Sequence, residues 1–285
     1  MRDASNPGVA AVNAGDGPIV LLNGEDAGAD ALRMLALVNY GHFTSLQVRD
    51  GAVQGLGLHL DRLRQGNAEL FDADFDADAV RGWMRQAAQA RGGDCSMRVT
   101  LFSRQFDHRH ALRPVGVDVL VSASAPLAPT SRSLRLQTRV FSRPVPQLKH
   151  VGTFPLVHHR RQALKAGYDD ALFVDGDGPQ ARVSEGSFWN VGFWDGRQVV
   201  WPDAPALRGT RERLLQQGLA AAGVGQQVRP VVLADLAGFQ AAFAANANGV
   251  QPVASIDGVV YPEEGWEPVL ALLGAAARHA PGEPL

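Results

Sequence analysis

Cysteine occurs once in the 285 residues, as Cys95, so no disulfide can form within the chain and a reducing compartment is expected. Lysine is nearly as scarce, with Lys149 and Lys165 its two occurrences. No apolar stretch approaches the ~18 residues of a membrane span, and the N-terminal MRDASNPGVAAVNAGDG lacks a signal-peptide core. The chain is therefore expected to be soluble and cytoplasmic, with no membrane partner. Neither charge dominates: the formal net charge is -2, the sequence pI is near 6.4, and no run of Lys or Arg offers a nucleic-acid footprint. A small-molecule partner is expected instead. P-loop, dinucleotide-fingerprint and G-x-S-x-G sequences are absent, as are internal repeats. The histidine pairs His108/His110 and His158/His159 have no third ligand at metal-binding spacing. They are assigned to solvent or packing, and no metal is expected.

What is present is 46% hydrophobic sequence, enough for two cores. After sixteen residues rich in Ala, Gly, Asn and Asp, which read as frayed, strands are predicted over 18–23 and 43–49. The Asp50-Gly51 turn would close the second strand into a hairpin with 52–58. From His59 the period becomes helical, with Leu60, Leu63, Asn67, Leu70 and Phe71 on one face and His59, Arg62 and Gly66 on a flanking one. A helix over 78–91 and strands over 96–104 and 117–124 follow. The segment 125–133, APLAPTSRS, has two prolines and no periodicity, which makes it a linker between residues 1–124 and 134–285. Beyond it strands are predicted over 134–141, 171–175, 188–193 and 228–232, and helices over 154–166, 210–222 and 267–278. The fold class is α+β in two domains, a smaller N-terminal one and a larger β-rich C-terminal one with flanking helices.

Three features in this second half carry chemistry. Lys149 follows Arg143-Pro144-Val145-Pro146-Gln147-Leu148, two prolines holding it at a junction before a helix. Its ordinary pKa of about 10.4 would make it a poor nucleophile unless burial or nearby cations lower it; a solvated loop lysine is the plain alternative. Lys165, late in a basic helix, suits the helix dipole and is read as structural. Glu185 enters the strand SEGSFWNVGF, with Asn190 five residues on. In one continuous strand that odd interval puts them on opposite faces, unless a bulge at Gly186 intervenes. Gly209-Thr210 opens a helix, with Thr210 read as its N-cap and Arg213 where a capping box wants Glu. The free amides there suit a phosphate, with Arg62 completing the cradle; a bare cap and a surface arginine are the alternatives. A loop over 243–253, FAANANGVQPV, could lend the amides of Ala247 and Asn248. An amine, a carboxylate and an anion-binding helix end are together what pyridoxal 5'-phosphate chemistry requires.

The ordered set Arg62 in LHLDRL, Lys149, Glu185 in SEGSFWN, Gly209-Thr210-Arg211 and the GVQPV loop resembles the class IV aminotransferases, the fold-type IV pyridoxal phosphate enzymes. The family includes branched-chain and D-amino acid aminotransferases and aminodeoxychorismate lyase. The match runs from about Ile19 to Ile256. The resemblance implies a Schiff base and proton shuttle at Lys149, Glu185 on the pyridine nitrogen, and Arg62 and Thr210 on the phosphate. It also implies a cofactor cleft between two domains, and a homodimer whose partner completes the pocket. Tyr40, Phe43 and Phe154 are the expected substrate-pocket walls. Departures are visible: Gly209 and Thr210 are adjacent where the family often has a residue between them. Phe43-Thr44-Ser45 stands where many members have Phe-Glu-Thr, and Phe154 where branched-chain enzymes have tyrosine. The arginine-rich stretch 104–113 aligns loosely with a carboxylate-binding segment of the D-amino acid enzymes and otherwise reads as a solvated loop. The expected activity is transamination of a small amino acid or amine with a keto acid. Elimination of pyruvate from aminodeoxychorismate and a non-catalytic relative binding phosphorylated ligands are the alternatives.

Overall fold

The computed structural model describes residues 17–285 except residue 129; the expected fraying of residues 1–16 lies outside the described residues. The first half runs β1 (Ile19–Leu22), β2 (Glu25–Asp26), α1 (Ala29–Leu37), β3 (Gly41–Val48), β4 (Ala52–Gln54), α2 (Leu56–Phe71), α3 (Ala77–Arg91), β5 (Cys95–Phe102) and β6 (Asp118–Ser124). The second half runs β7 (Leu134–Val140), α4 (Phe154–Lys165), β8 (Asp170–Asp175), β9 (Arg182–Gly186), β10 (Asn190–Trp194), β11 (Gln198–Pro202), α5 (Thr210–Ala221), β12 (Gly225–Arg229), β13 (Ala241–Asn246), β14 (Gly249–Ile256), β15 (Val259–Val260), α6 (Glu263–His279) and β16 (Gly282–Pro284).

The first half forms an antiparallel sheet in the order β2-β1-β6-β5-β3. Period-two alternation sends Leu46, Val48, Met97, Val99, Leu101, Val121 and Ala123 to one face. There they pack on Leu60 and Leu63 of α2 and on Val80, Met84 and Ala87 of α3. Asp76 caps α3 by accepting from the amides of Asp78 and Ala79.

The second sheet follows β12-β11-β10-β13-β14-β7-β8-β9, and β9 also pairs with β10, so six of its strands close into a barrel. The closing rung is the antiparallel pair Glu185↔Asn190. Helix α4 makes the crossover between the parallel neighbours β7 and β8, and α5 that between β11 and β12. Leu215 and Leu219 of α5 and Val269, Leu273 and Ala276 of α6 cover Trp201, Phe243 and Ala245.

Several expectations change. The 43–49/52–58 hairpin reduces to one bridge, Arg49↔Ala52; β4 pairs with β16 instead, and α2 begins at Leu56. Burial decides this, because Leu56, Leu60 and Leu63 reach the sheet only from a helix. The segment expected as one strand from Glu185 through Phe193 is a hairpin, tied at its turn by the Gly186 amide to the Trp189 carbonyl at 2.8 Å. The 243–253 loop is the hairpin β13/β14, with Ala247 and Asn248 between its strands. Its run AAFAA is poor in strand formers apart from Phe243, yet it is fully buried, paired between β10 and β14 and covered by α5 and α6. Helix α1, which buries no residue, and strand β11 were not expected. Among the described residues no helix is long and apolar enough to cross a membrane.

Candidate active site

The two sheets face each other across a cavity of about 480 Å³. Phe43, Arg62, Lys149, Glu185, Asn190, Gly209, Thr210, Ala247 and Asn248, all singled out from sequence, line it together. Tyr40 and Phe154 do not. Tyr40 is stacked on Phe106 with ring centroids 4.2 Å apart, and its hydroxyl donates to the Leu70 carbonyl. Phe154 is 75% exposed on α4 beside His158, because the helix turns its Leu156 and Ala163 inward instead.

Lys149 sits where the chain leaves the barrel to touch β3. The Phe43 amide donates to the Lys149 carbonyl at 2.8 Å, and the Val151 amide to Gly41 at 2.9 Å, so backbone on both sides fixes the lysine. The preceding turn places Val145, flanked by prolines, at φ 49, a left-handed conformation a β-branched residue rarely adopts. Inside the cavity the amine lies 4.9 Å from the Phe43 ring centroid. Burial, then Arg62 and Arg143, lower its pKa to about 7 against the pull of Glu185, so much of it is unprotonated at neutral pH.

Glu185 and Asn190 stand opposite each other on β9 and β10, which puts them on one face. A bulge does occur in β9, where Val183 to Gly186 span one residue more than Val174 to Leu172 opposite them, but the hairpin is what brings the pair together. Burial pushes the Glu185 carboxyl up, and Arg143, whose Nε donates to Oε1 at 2.7 Å, works against it. The turn between the two is held from below. Buried Asp170 accepts from the Ser187 hydroxyl at 2.7 Å and the Trp189 indole at 3.0 Å, and the Trp189 ring covers Gly186 so closely that a Cβ there would collide with it.

The loop entering α5 is clamped as well. Asn190 donates to the Leu207 carbonyl at 2.7 Å and Arg62 to the Arg208 carbonyl at 2.8 Å. Arg208 itself donates to Glu212 at 3.1 Å. Gly209, not Thr210, is the N-cap of α5, and any Cβ there would strike Asn190 Oδ1. Glu212 thus occupies the third helical position, its carboxylate against the Gly209 amide, where Arg213 had been expected to fail. The correction frees Thr210: as first helical residue it makes no capping bond, and its hydroxyl lines the cavity beside the unpaired amides of the first turn. Behind it, buried His59 hydrogen-bonds Thr44 at 2.6 Å, and burial with Arg62, Lys149 and Arg211 nearby lowers its pKa to about 3.

Residues 41–256 match the family model for amino-transferase class IV. The chain belongs to the class IV aminotransferases. Among curated proteins none matches it. In fold this aminotransferase is similar to the branched-chain aminotransferase of the thermophilic archaeon Thermoproteus uzoniensis, solved with norvaline, with TM-score 0.77 and 18% identity over 90% of this chain and 95% of that one. The branched-chain aminotransferase of Escherichia coli aligns with TM-score 0.78 and 17% identity over 90% of this chain and 92% of that one. A PLP-bound hypothetical aminotransferase from Mycobacterium tuberculosis aligns with TM-score 0.75 and 22% identity over 91% of this chain and 98% of that one.

Sequence reasoning missed several residues lining the aminotransferase cavity: Arg143, Arg98, Ser45, Ser122 and Trp189. Arg143 lay in the quoted RPVPQLK stretch, where only the prolines were weighed. Arg98 was marked by alternation, since in CSMRVTLF it falls on the face opposite Met97, Val99 and Leu101. What that polar face looks onto was not legible, because it is the other half of the chain. The arginine-rich stretch 104–113 does not line the cavity; Arg104 pairs with Asp118 at 2.9 Å.

Proposed function

We propose that this chain is a pyridoxal 5'-phosphate-dependent transaminase that moves an amino group from a small amino acid to a keto acid, with Lys149 as its catalytic residue. One observation carries the reading: a lysine amine of pKa about 7 shares one cavity with a buried carboxylate and with an arginine-flanked helix N-terminus. The residues fit the group. The Thr210 hydroxyl and the first amides of α5 are free of capping duty, Arg62 flanks them, and Gly209 leaves room only for backbone. Arg62, Gly209, Thr210 and the Ala247-Asn248 turn would hold the phosphate, and Glu185, steadied by Arg143 and beside Asn190, the pyridine nitrogen.

When bound, the cofactor supplies an electron sink that acidifies the substrate Cα–H. Lys149, whose pKa is lowered to about 7, would take that proton and return it at the other end of the transfer. Glu185 would hold a proton on the cofactor's ring nitrogen. Phe43, Phe188 and Trp189 line the cavity with apolar surface that limits water there.

The same proposal takes residues 1–124 and 134–285 as two domains joined by 125–133, each with its own sheet, the C-terminal β16 returning to β4. It includes a homodimer, for which the exposed Phe154, Val157 and Leu164 of α4 offer apolar surface, and a cytoplasmic setting that suits the lone, buried Cys95.

Titrating the purified protein with pyridoxal phosphate tests the reading. A visible absorbance band is expected, with uptake accelerating as pH rises through about 7, where the Lys149 amine is freed. Borohydride reduction then fixes the label on Lys149, and Lys149→Ala loses both label and transamination, the latter by at least about 10^4-fold. A colourless protein, or a label elsewhere, rejects it.

A further inference from the structure

A second cavity, of about 540 Å³, adjoins the first. Arg62, Gly209 and Thr210, assigned above to the cofactor phosphate, do not line it. Its own residues are His59 of α2, Arg49 and Asp50 just past β3, and the β4/β16 pair with Gln54 and Gly282. Gln47, Leu127, Arg211 and the Ala247-Asn248 turn are common to both cavities, and Gln47 donates to Asn248 at 2.8 Å within that shared wall.

Charge in this lining is out of balance. Arg49 gives Nη1 to the Val48 carbonyl at 2.8 Å, and Nη2 to the Leu127 carbonyl at 2.7 Å and to Gln47 Oε1 at 2.9 Å, all neutral acceptors. Arg211 gives Nη1 to Gln54 Oε1 at 2.9 Å, another neutral acceptor, and its Nε is buried with no partner. Among the described residues neither guanidinium forms an ion pair with a carboxylate. The one carboxylate in the lining, Asp50, is exposed in its turn. Arg211 is also the second residue of α5, so the positive end of that helix adds to the same field. His59 spends Nδ1 on Thr44 at 2.6 Å, which leaves Nε2 as the ring nitrogen open to a ligand.

A buried cation without a counter-charge is costly, and an anion entering the cavity removes that cost. Two guanidiniums beside a helix start match a dianion, and the fork of a guanidinium fits phosphate oxygens. A bare oxyanion would leave most of the space to water, whereas Leu46, Val53 and Leu127 offer an apolar side to a short carbon skeleton. We propose that this cavity binds a small organic phosphate monoester, its phosphate on Arg211 and His59 within the field of Arg49. Such binding requires neither the cofactor nor turnover, so it goes beyond the aminotransferase reading above.

The test is calorimetry on the holoenzyme after borohydride reduction, which fixes the cofactor in its own cavity and leaves the second to the probe. Glycerol 3-phosphate is expected to bind once per chain, more tightly than inorganic phosphate and about tenfold or more tighter than propanoate, with glycerol giving no heat. Added NaCl weakens the binding. Arg211→Met is expected to weaken it by about tenfold or more, and Arg211→Lys to restore part. Gln54→Glu sets a carboxylate against Arg211 from within and abolishes binding with the arginine still in place. Should Arg211→Met fail to fold, Gln54→Glu decides alone. No heat from the ester, or a heat that both substitutions leave unchanged, overturns the proposal. Inorganic phosphate binding as tightly as the ester overturns it too, because an adventitious ion needs no carbon skeleton. If the chain takes up no pyridoxal phosphate, the aminotransferase reading falls, and the same titration of the unreduced protein and of Gln54→Glu still decides this one.

Discussion

The two walls of the cavity are built on opposite principles. On the barrel side the groups around Glu185 are committed: Glu185 to Arg143, Asn190 to Leu207, Arg208 to Glu212, and the turn between Glu185 and Asn190 to Asp170. On the side of the five-stranded sheet Arg98, Ser45 and Ser122 are held in place by strand register and left open. Committed groups cannot reorganise when charge changes, which suits a group that stays bound through every turnover. Open groups suit a ligand that comes and goes, because their partners arrive with it. One cavity thus separates a fixed half from an exchangeable one.

Breaking the fixed half should do the most damage. Glu185→Gln removes the buried anion while keeping its shape, and kcat is expected to fall by about 100-fold or more, with the visible band of the bound cofactor shifted. Unchanged kcat would mean that Arg143 and Glu185 form a structural pair only. The support beneath is next in size. Asp170→Ala leaves the Ser187 hydroxyl and the Trp189 indole without their acceptor, at a cost of about 2–4 kcal/mol in stability. Urea unfolding measures this, and a red shift of tryptophan emission locates it; Asp170→Glu should recover part of both.

The smallest expected effect is on the face of β3 away from the cavity. There His42 is buried beneath α2 with neither ring nitrogen hydrogen-bonded, and burial lowers its pKa to about 4 from 6.5. The unfolded chain therefore binds a proton that the folded one refuses between those values. The neutral-pH stability is complete above about 6.5 and is lost as pH falls toward 4, by about 2 kcal/mol at pH 5. His42→Leu should flatten that slope by one proton, read from denaturation midpoints across the range. A slope unchanged by the substitution would place the acid sensitivity elsewhere, with His59 next.

Much of this was legible along the chain. The apolar alternation of β3, β5 and β6 and the helical period of α2 and α3 are local properties, and they appear in the structure within a few residues of where they were expected. Lys149, Glu185, Arg62 and Gly209-Thr210 were recognisable because their residue types and order are unusual together. What misled was local as well. One run from Glu185 to Phe193 cannot announce that it folds back at Ser187, because the reason is Asp170 on another strand. The AAFAA run is poor in strand formers apart from Phe243 and is a strand because both its faces are buried, Ala242 and Ala244 in the barrel core and Ala241, Phe243 and Ala245 under α5 and α6. Tyr40 and Phe154 are aromatic near the right places in sequence, but one packs on Phe106 and the other faces outward.

The sequence by itself determined which residue types were available, a lone reactive lysine with its carboxylate and its helix start, since composition and order need no coordinates. Only the tertiary structure decided which of them share a cavity and which groups there are already spent. Hydrogen bonds and ion pairs saturate, so whether Arg143 or Arg98 remains free depends on what the fold sets beside it: Glu185 next to the one, and open space next to the other.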